Sequence, residues 1–138
     1  MDSLSPEKRS WNMAQIRSKD TKPEILVRKI LHSLGYRFRL GCNDIPGKPD
    51  IVLPRYKTAI YVHGCFWHRH EGCKYAYMPK SKIDFWNNKF ATNVKRDQEV
   101  SEKIKVSDWK QLIIWECQTR NKDQLIATLT EFLDDKRK

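Results

Sequence analysis

Residues 50–73 read "DIVLPRYKTAIYVHGCFWHRHEGC". The first half holds two apolar runs, DIVL and TAIYV, around a turn at Pro54–Arg55. Both are apolar on both faces, which is the pattern of strands lying centrally in a covered sheet. At His63 the character changes. Three of the four histidines and two of the four cysteines fall between His63 and Cys73, with Phe66 and Trp67 side by side among them. No hydrophobic period continues there, so buried strands lead into an irregular loop rich in metal-ligating and aromatic side chains.

Upstream, Thr21-Lys22-Pro23-Glu24 reads as a capping box that opens a helix. Its apolar face is Leu26, Val27, Ile30, Leu31 and Leu34, and Gly35 stops it. Ser5 and Pro6 can open an earlier short helix carrying Trp11, Met13 and Ile16. "YRFRL" (36–40) alternates like a strand, and "GCNDIPGKP" (41–49) is loop chemistry. Downstream, Ser81 can cap a long helix with Ile83, Trp86, Phe90 and Val94. "QLIIW" (111–115) is a further buried strand. Asn121 opens a last helix with Leu125, Ile126, Leu129, Phe132 and Leu133 on one face. The order α-α-β-β-β-loop-α-β-α predicts one α/β domain over 1–138, a mixed sheet covered by helices, with 1–20 as an N-terminal helical arm.

The chain has 138 residues, enough for one domain with a real core. It contains no apolar run long enough to span a membrane, and its N-terminus lacks the apolar segment of a secretory signal. A cytoplasmic location follows as the expectation, with thiols reduced and cysteines used for metal or burial. The formal charge is +10, from 27 Lys+Arg against 17 Asp+Glu. Basic residues recur beside aromatics in "KRSW", "GYRFR", "PRYK" and "DFWNNKF". Such a field suits a polyanion, most often nucleic acid.

Cys65, His70 and Cys73 have the short spacings of a closed tetrahedral Zn²⁺ site. Cys117 and Cys42 compete as the fourth ligand. Cys117 is preferred, because it follows "QLIIW", and two adjacent central strands would bring their C-terminal ends together. Asp50 begins a buried strand directly after Pro49, a plausible place for a Mg²⁺ ligand. Pro-Asp before two buried strands also opens the nuclease motif PD…(D/E)xK. The corresponding triplet is Tyr61-Val62-His63, with neither acid nor lysine, so the motif is broken. A turn or cap role for Asp50 competes with the metal role, and a capping role competes for Glu24. His63 and His68 flank Cys65 without being needed by zinc, and either can serve as a general base or pack.

"NMAQIRSKDTKPE" (12–24), "PGKPDIVL" (46–53), "HGCFWH" (63–68), "DFW" (84–86), "NVKRD" (93–97) and "WEC" (115–117) together resemble the very-short-patch repair (Vsr) DNA mismatch endonuclease family. The resemblance implies a restriction-endonuclease-like fold with an added structural zinc. It implies Mg²⁺-dependent nicking of one strand of double-stranded DNA, 5′ of the thymine in a T·G mismatch left by deamination of 5-methylcytosine. Asp50 becomes the direct Mg²⁺ ligand, with the backbone carbonyl of Val62. His68 becomes the base, with His63 nearby and Glu24 holding water around the metal; apart from the resemblance, Asp97 on the long helix is a candidate to orient that imidazole. Zinc falls to Cys65, His70, Cys73 and Cys117. Phe66, Trp67 and Trp86 become a wedge, partly exposed in the free protein and inserted into DNA, with Asn93, Arg96 and the arm 1–20 as further DNA contacts. A monomer in the bacterial cytoplasm, associated with the nucleoid and functionally linked to a cytosine-5 DNA methyltransferase, is the setting it implies.

This chain has Val62 where some relatives have threonine, a change to which a backbone carbonyl is indifferent. "HRHEGC" is one residue longer before Cys73 than in some relatives. His70 is kept as the zinc ligand because His68 directly follows the shared Phe66-Trp67. Two other readings stand beside this one: a restriction-like nuclease acting on fully paired DNA, and a zinc-stapled DNA-binding module without catalysis.

Overall fold

The structure is a computed structural model that describes residues 21–137, with side chains described through Asp134. The expected first helix and the N-terminal arm lie outside the described residues. The first described helix, α1, is Lys22–Ser33. Pro23 sits in its first turn, where a missing N–H costs nothing, and Val27, Ile30 and Leu31 form its buried face. It ends as the sequence suggests: Gly35 takes a positive φ of 85°, and the Tyr36 N–H donates to the Leu31 carbonyl at 3.0 Å, a Schellman-type closure. The expected capping box is absent. Thr21 makes no side-chain cap, and Glu24 is buried, where its carboxylate accepts from Arg28 at 3.3 Å. One carboxylate cannot both reach back to the helix start and turn into the protein.

"YRFRL" does not form the expected strand. It makes one antiparallel bridge, Arg39 to Val52, with hydrogen bonds of 2.8 and 2.9 Å. Strand β1 (Ile51–Leu53) is wholly buried. A 3-10 turn at Pro54–Tyr56, closed by Lys57 in the left-handed region, reverses the chain into β2 (Thr58–His63). These two strands are antiparallel, with Ile51 opposite Ile60 and Leu53 opposite Thr58. Helix α2 (Ile83–Lys105) is the crossover that a parallel neighbour needs. Strand β3 (Lys110–Trp115) then pairs parallel to β2, from Thr58 with Lys110 to His63 with Trp115. The order β1-β2-β3 makes a mixed, three-stranded sheet with β2 in the centre.

Two N-cap expectations come out differently. The residue before α2 is Lys82, in the left-handed region and without a side-chain cap, so Ser81 does not serve there. Asn121 does serve: its Oδ1 accepts from the Gln124 N–H at 3.1 Å and opens α3 (Lys122–Arg137).

Alternation along the strands divides the core in two. Ile51, Leu53, Ile60, Leu112 and Ile114 pack with α1 and with Leu125, Leu129 and Leu133 of α3. Val52, Ala59 and Tyr61 point the other way and meet Ile45 and Ile104 of α2. Helices therefore cover both faces, which is why the strands lack polar alternation. The arrangement sets the site: Asp50, before β1, lies beside the end of β2, and the parallel pairing brings the ends of β2 and β3 together.

Candidate functional site

The Asp50 N–H donates to the Ile60 carbonyl at 3.0 Å, and its Oδ2 accepts the Val62 N–H at 2.7 Å. A side chain thus takes the place of a backbone acceptor at the strand end and fixes the carboxylate beside Val62. Burial pushes the Asp50 carboxyl up to about 7; the Val62 N–H opposes this, and the neighbouring Glu24 carboxylate reinforces it. Two carboxylates held together away from water repel unless a proton or a cation lies between them. The donor set of Asp50 and Glu24, all oxygen, fits a hard divalent cation such as Mg²⁺. Both residues line a cavity of about 880 Å³, with His63, His68, Arg96 and Asp97 on its wall.

His68 Nδ1 lies 2.7 Å from Asp97 Oδ2. With the proton on Nδ1 and donated to Asp97, Nε2 keeps a lone pair and can accept a proton. His63 lies flat on His68, with ring centroids 3.9 Å apart and planes 6° from parallel. It is only 7% exposed. Burial and the adjacent His68 push its pKa down to about 4, against the pull of Asp97, so at neutral pH it is an uncharged backing for His68. The donor atoms of His63, His68 and Asp97 lie within 4.8 Å of one another. Parallel rings nevertheless keep their in-plane lone pairs in separate planes, so this trio does not converge on one ion.

A second cluster does. Cys65, His70, Cys73 and Cys117 bring their ligand atoms within 4.8 Å of one another. Cys65 Sγ and Cys117 Sγ are 3.6 and 3.4 Å from His70 Nδ1. Sulfur and nitrogen around a tetrahedral zinc would stand roughly 3.6 Å apart, given the usual bond lengths, so the four groups fit that ion. The Cys117 N–H also donates to Cys65 Sγ at 3.3 Å, and His70 stacks on Trp115 with centroids 4.2 Å apart. Cys42 is elsewhere, packed on the α2 side of the sheet at the cavity edge. Burial pushes the Cys65 thiol up to about 12. Hydrogen bonds from the Tyr75 backbone and from neighbouring groups push Cys73 down.

The loop between these centres presents aromatics. Phe66 and Trp67 are half-buried and stand edge to face at 5.3 Å. Trp86, expected to be partly exposed, is 8% exposed. It lies on the inner face of α2 between Phe66, Trp67 and Phe90, at 5.4, 5.7 and 5.7 Å. Its neighbour Phe85 points outward and is 54% exposed. Asn93 donates from Nδ2 to the Trp67 carbonyl at 3.1 Å, tying the loop to α2, while Arg96 stays exposed at the cavity.

Sequence reasoning missed Arg69. Its guanidinium donates to the carbonyls of Phe66, Tyr77 and Ala76 at 3.3, 3.0 and 2.7 Å. It also lies 4.0 Å from the centroid of Phe90. In "HRH" it reads only as one more positive charge, and no local signal marks a residue whose partners are three carbonyls of a folded-back loop.

Among the described residues no helix is long and apolar enough to cross a membrane. The protein-family model for the DNA mismatch endonuclease Vsr matches residues 1–74. The type II nicking enzyme V.XorIIP of Xanthomonas oryzae is 46% identical over 133 residues, covering 96% of this chain and 97% of that protein. The type II nicking enzyme V.NmeAIP of Neisseria meningitidis is 44% identical, covering 88% and 86%. The DNA mismatch endonuclease Vsr of Escherichia coli is 37% identical, covering 92% and 81%. On a family match over more than half its length and on relatives aligned almost end to end, this chain belongs to the Vsr family of DNA mismatch endonucleases.

Proposed function

We propose that the protein is a Mg²⁺-dependent endodeoxyribonuclease that nicks one strand of duplex DNA 5′ of the thymine in a T·G mismatch. The observation that supports this most directly is one cavity with two kinds of chemistry on its walls. Asp50 and Glu24 offer oxygen to a cation, and the His68–Asp97 pair offers a held imidazole lone pair.

Asp50, with the Val62 carbonyl, would hold Mg²⁺, and Glu24 would order water beside it. When bound, Mg²⁺ gathers the phosphate oxygens and lowers the pKa of a nearby water. His68 Nε2 takes the proton of the attacking water, and Asp97 keeps the ring turned and stabilises the charge it gains. His63, flat against His68 and neutral, limits the tilt of that ring. Zn²⁺ held by Cys65, His70, Cys73 and Cys117 would fix the loop that aims His68 and the aromatics. Phe66 and Trp67, backed by Trp86, enter the base stack where a mismatch makes unstacking least costly. The sheet and helices fit a restriction-endonuclease-like core. A monomer in the bacterial cytoplasm, acting on nucleoid DNA where a cytosine-5 methyltransferase has marked cytosines, is the matching context.

A nicking assay tests the proposal. Duplexes with T·G in varied contexts are compared with fully paired controls, in Mg²⁺ and without it. The expected result is one nick in the thymine strand, only with Mg²⁺. Equal cutting of paired DNA would favour the restriction-like reading. Binding without cutting in Mg²⁺, or normal cutting by Asp50→Asn, would overturn the mechanism.

A further inference from the structure

The wedge residues are the middle of a longer aromatic array. Tyr77 lies 5.1 Å from Phe66, Phe66 lies 5.4 Å from Trp86, and Trp86 lies 5.2 Å from Phe85. The two outer rings are the most open: Tyr77 is 62% exposed and Phe85 is 54% exposed. Met78 and Ile83 are exposed between them. An apolar surface of this kind is unusual on a strongly charged protein and marks a place of contact.

Its surroundings say what kind of contact. Lys80 and Lys82 lie between Tyr77 and Phe85 in the chain, and Lys89 follows one helical turn beyond Phe85. All three are exposed, and Asp84 is the single acid from Tyr77 to Phe85. Exposed aromatic rings interleaved with lysines form a surface for unpaired nucleobases on a phosphate chain, since every base has a face to stack and every link a charge to neutralise. The platform is also held rigid. Arg69 pins the Ala76 and Tyr77 carbonyls and rests on Phe90, so Tyr77 is exposed without being loose. Neighbouring rings are inclined to one another, by 49° for Tyr77 with Phe66, 80° for Phe66 with Trp86 and 77° for Phe85 with Trp86. They cannot slide into a continuous stack of parallel bases.

We propose that Tyr77 and Phe85, with Lys80 and Lys82, form a stacking surface for unpaired DNA bases beside the wedge, which receives the strand opened next to the mismatch. This deepens the proposed function and rests on it for the source of the opened strand, though the surface itself can be measured without cutting.

The test is binding of a short fluorescein-labelled thymidine oligonucleotide, read by anisotropy in Mg²⁺-free buffer, with T·G nicking measured separately. Tyr77→Ser/Phe85→Ser should bind it at least about 30-fold more weakly, as expected for loss of two base–aromatic stacks. Tyr77→Trp/Phe85→Tyr, which keeps the rings, should bind like the wild type. Lys80→Glu/Lys82→Glu should weaken binding most at low salt. Metal content and melting temperature of each variant report folding. Equal binding by the folded serine double variant and the wild type would overturn the proposal, as would a wild type with no affinity for the oligonucleotide. Wild-type protein that binds the oligonucleotide but does not nick T·G would refute the mismatch activity and leave the stacking surface standing.

Discussion

Asp50 is the residue on which the chemistry and the stability of the cavity pull in opposite directions. Its folded-state pKa is raised from 3.8 to about 7. Between those values the folded protein keeps a proton that the unfolded chain has released. Stability therefore falls as pH rises through this window, and the penalty is fully present above it. Asp50→Asn should stabilise the Mg²⁺-free protein at pH 8 by on the order of 1–3 kcal/mol and change little at low pH. Denaturant titration of both proteins, in buffer without chelator so that any zinc stays, checks the sign; a variant destabilised at pH 8 would contradict it. The same substitution should abolish nicking. His63 works in the opposite sense. Its pKa is lowered from 6.5 to about 4, so its contribution is lost as pH falls through that range. His68→Ala should slow nicking by roughly 10²–10⁴-fold, the span of a lost general base, in single-turnover measurements. A rate within a few-fold of wild type would move the base elsewhere.

At the level of elements, the loop from Gly64 to Lys80, which follows the last residue of β2, has no helix or strand. Cys65 accepting from the Cys117 N–H, His70 stacked on Trp115 and Arg69 resting on Phe90 tie it to the sheet and α2. Cys117→Ala should release the metal and lower stability sharply, because binding of such an ion is coupled to folding. Cys42→Ala should leave metal content intact. Elemental analysis of the two purified variants decides it, and the reverse pattern would make Cys42 the ligand. Trp67→Ala should weaken binding to T·G duplex by about 1–3 kcal/mol, the range of one base–aromatic stack, as titration of labelled duplex would show. Leu129 of α3 belongs to the purely structural half. It is fully buried, so Leu129→Ala should cost about 2–5 kcal/mol in chemical unfolding.

Across the whole molecule, the charge of +10 predicts DNA affinity that falls steeply with salt through counterion release. Arg96, exposed at the cavity, should contribute as a phosphate contact. Arg96→Ala should lower affinity for all duplexes alike and reduce the salt slope by about 1; an unchanged slope would remove it from the interface. The two-sided sheet was legible in the apolar runs 51–53, 58–62 and 111–115, because burial on both faces leaves no polar alternation to mislead. The Cys/His spacing pointed to one metal cluster, since short ligand spacings are local. Other features were decided by contacts between residues distant in the chain. The capping box at Thr21–Glu24 gave way to a carboxylate facing Asp50. "YRFRL" made one bridge instead of a strand. Trp86 went inward while Phe85 stayed out, because the phase of α2 follows from what it packs on. The stacking of His63 on His68 and the three carbonyls around Arg69 had no mark in the sequence. Local sequence determined the three sheet strands, the three described helices and which side chains could hold metal, because periodicity and ligand spacing are properties of neighbours. Tertiary structure alone decided which carboxylates face each other, which imidazole is held and which aromatics remain open, because each depends on residues that meet only when the sheet is formed and the loop is folded back.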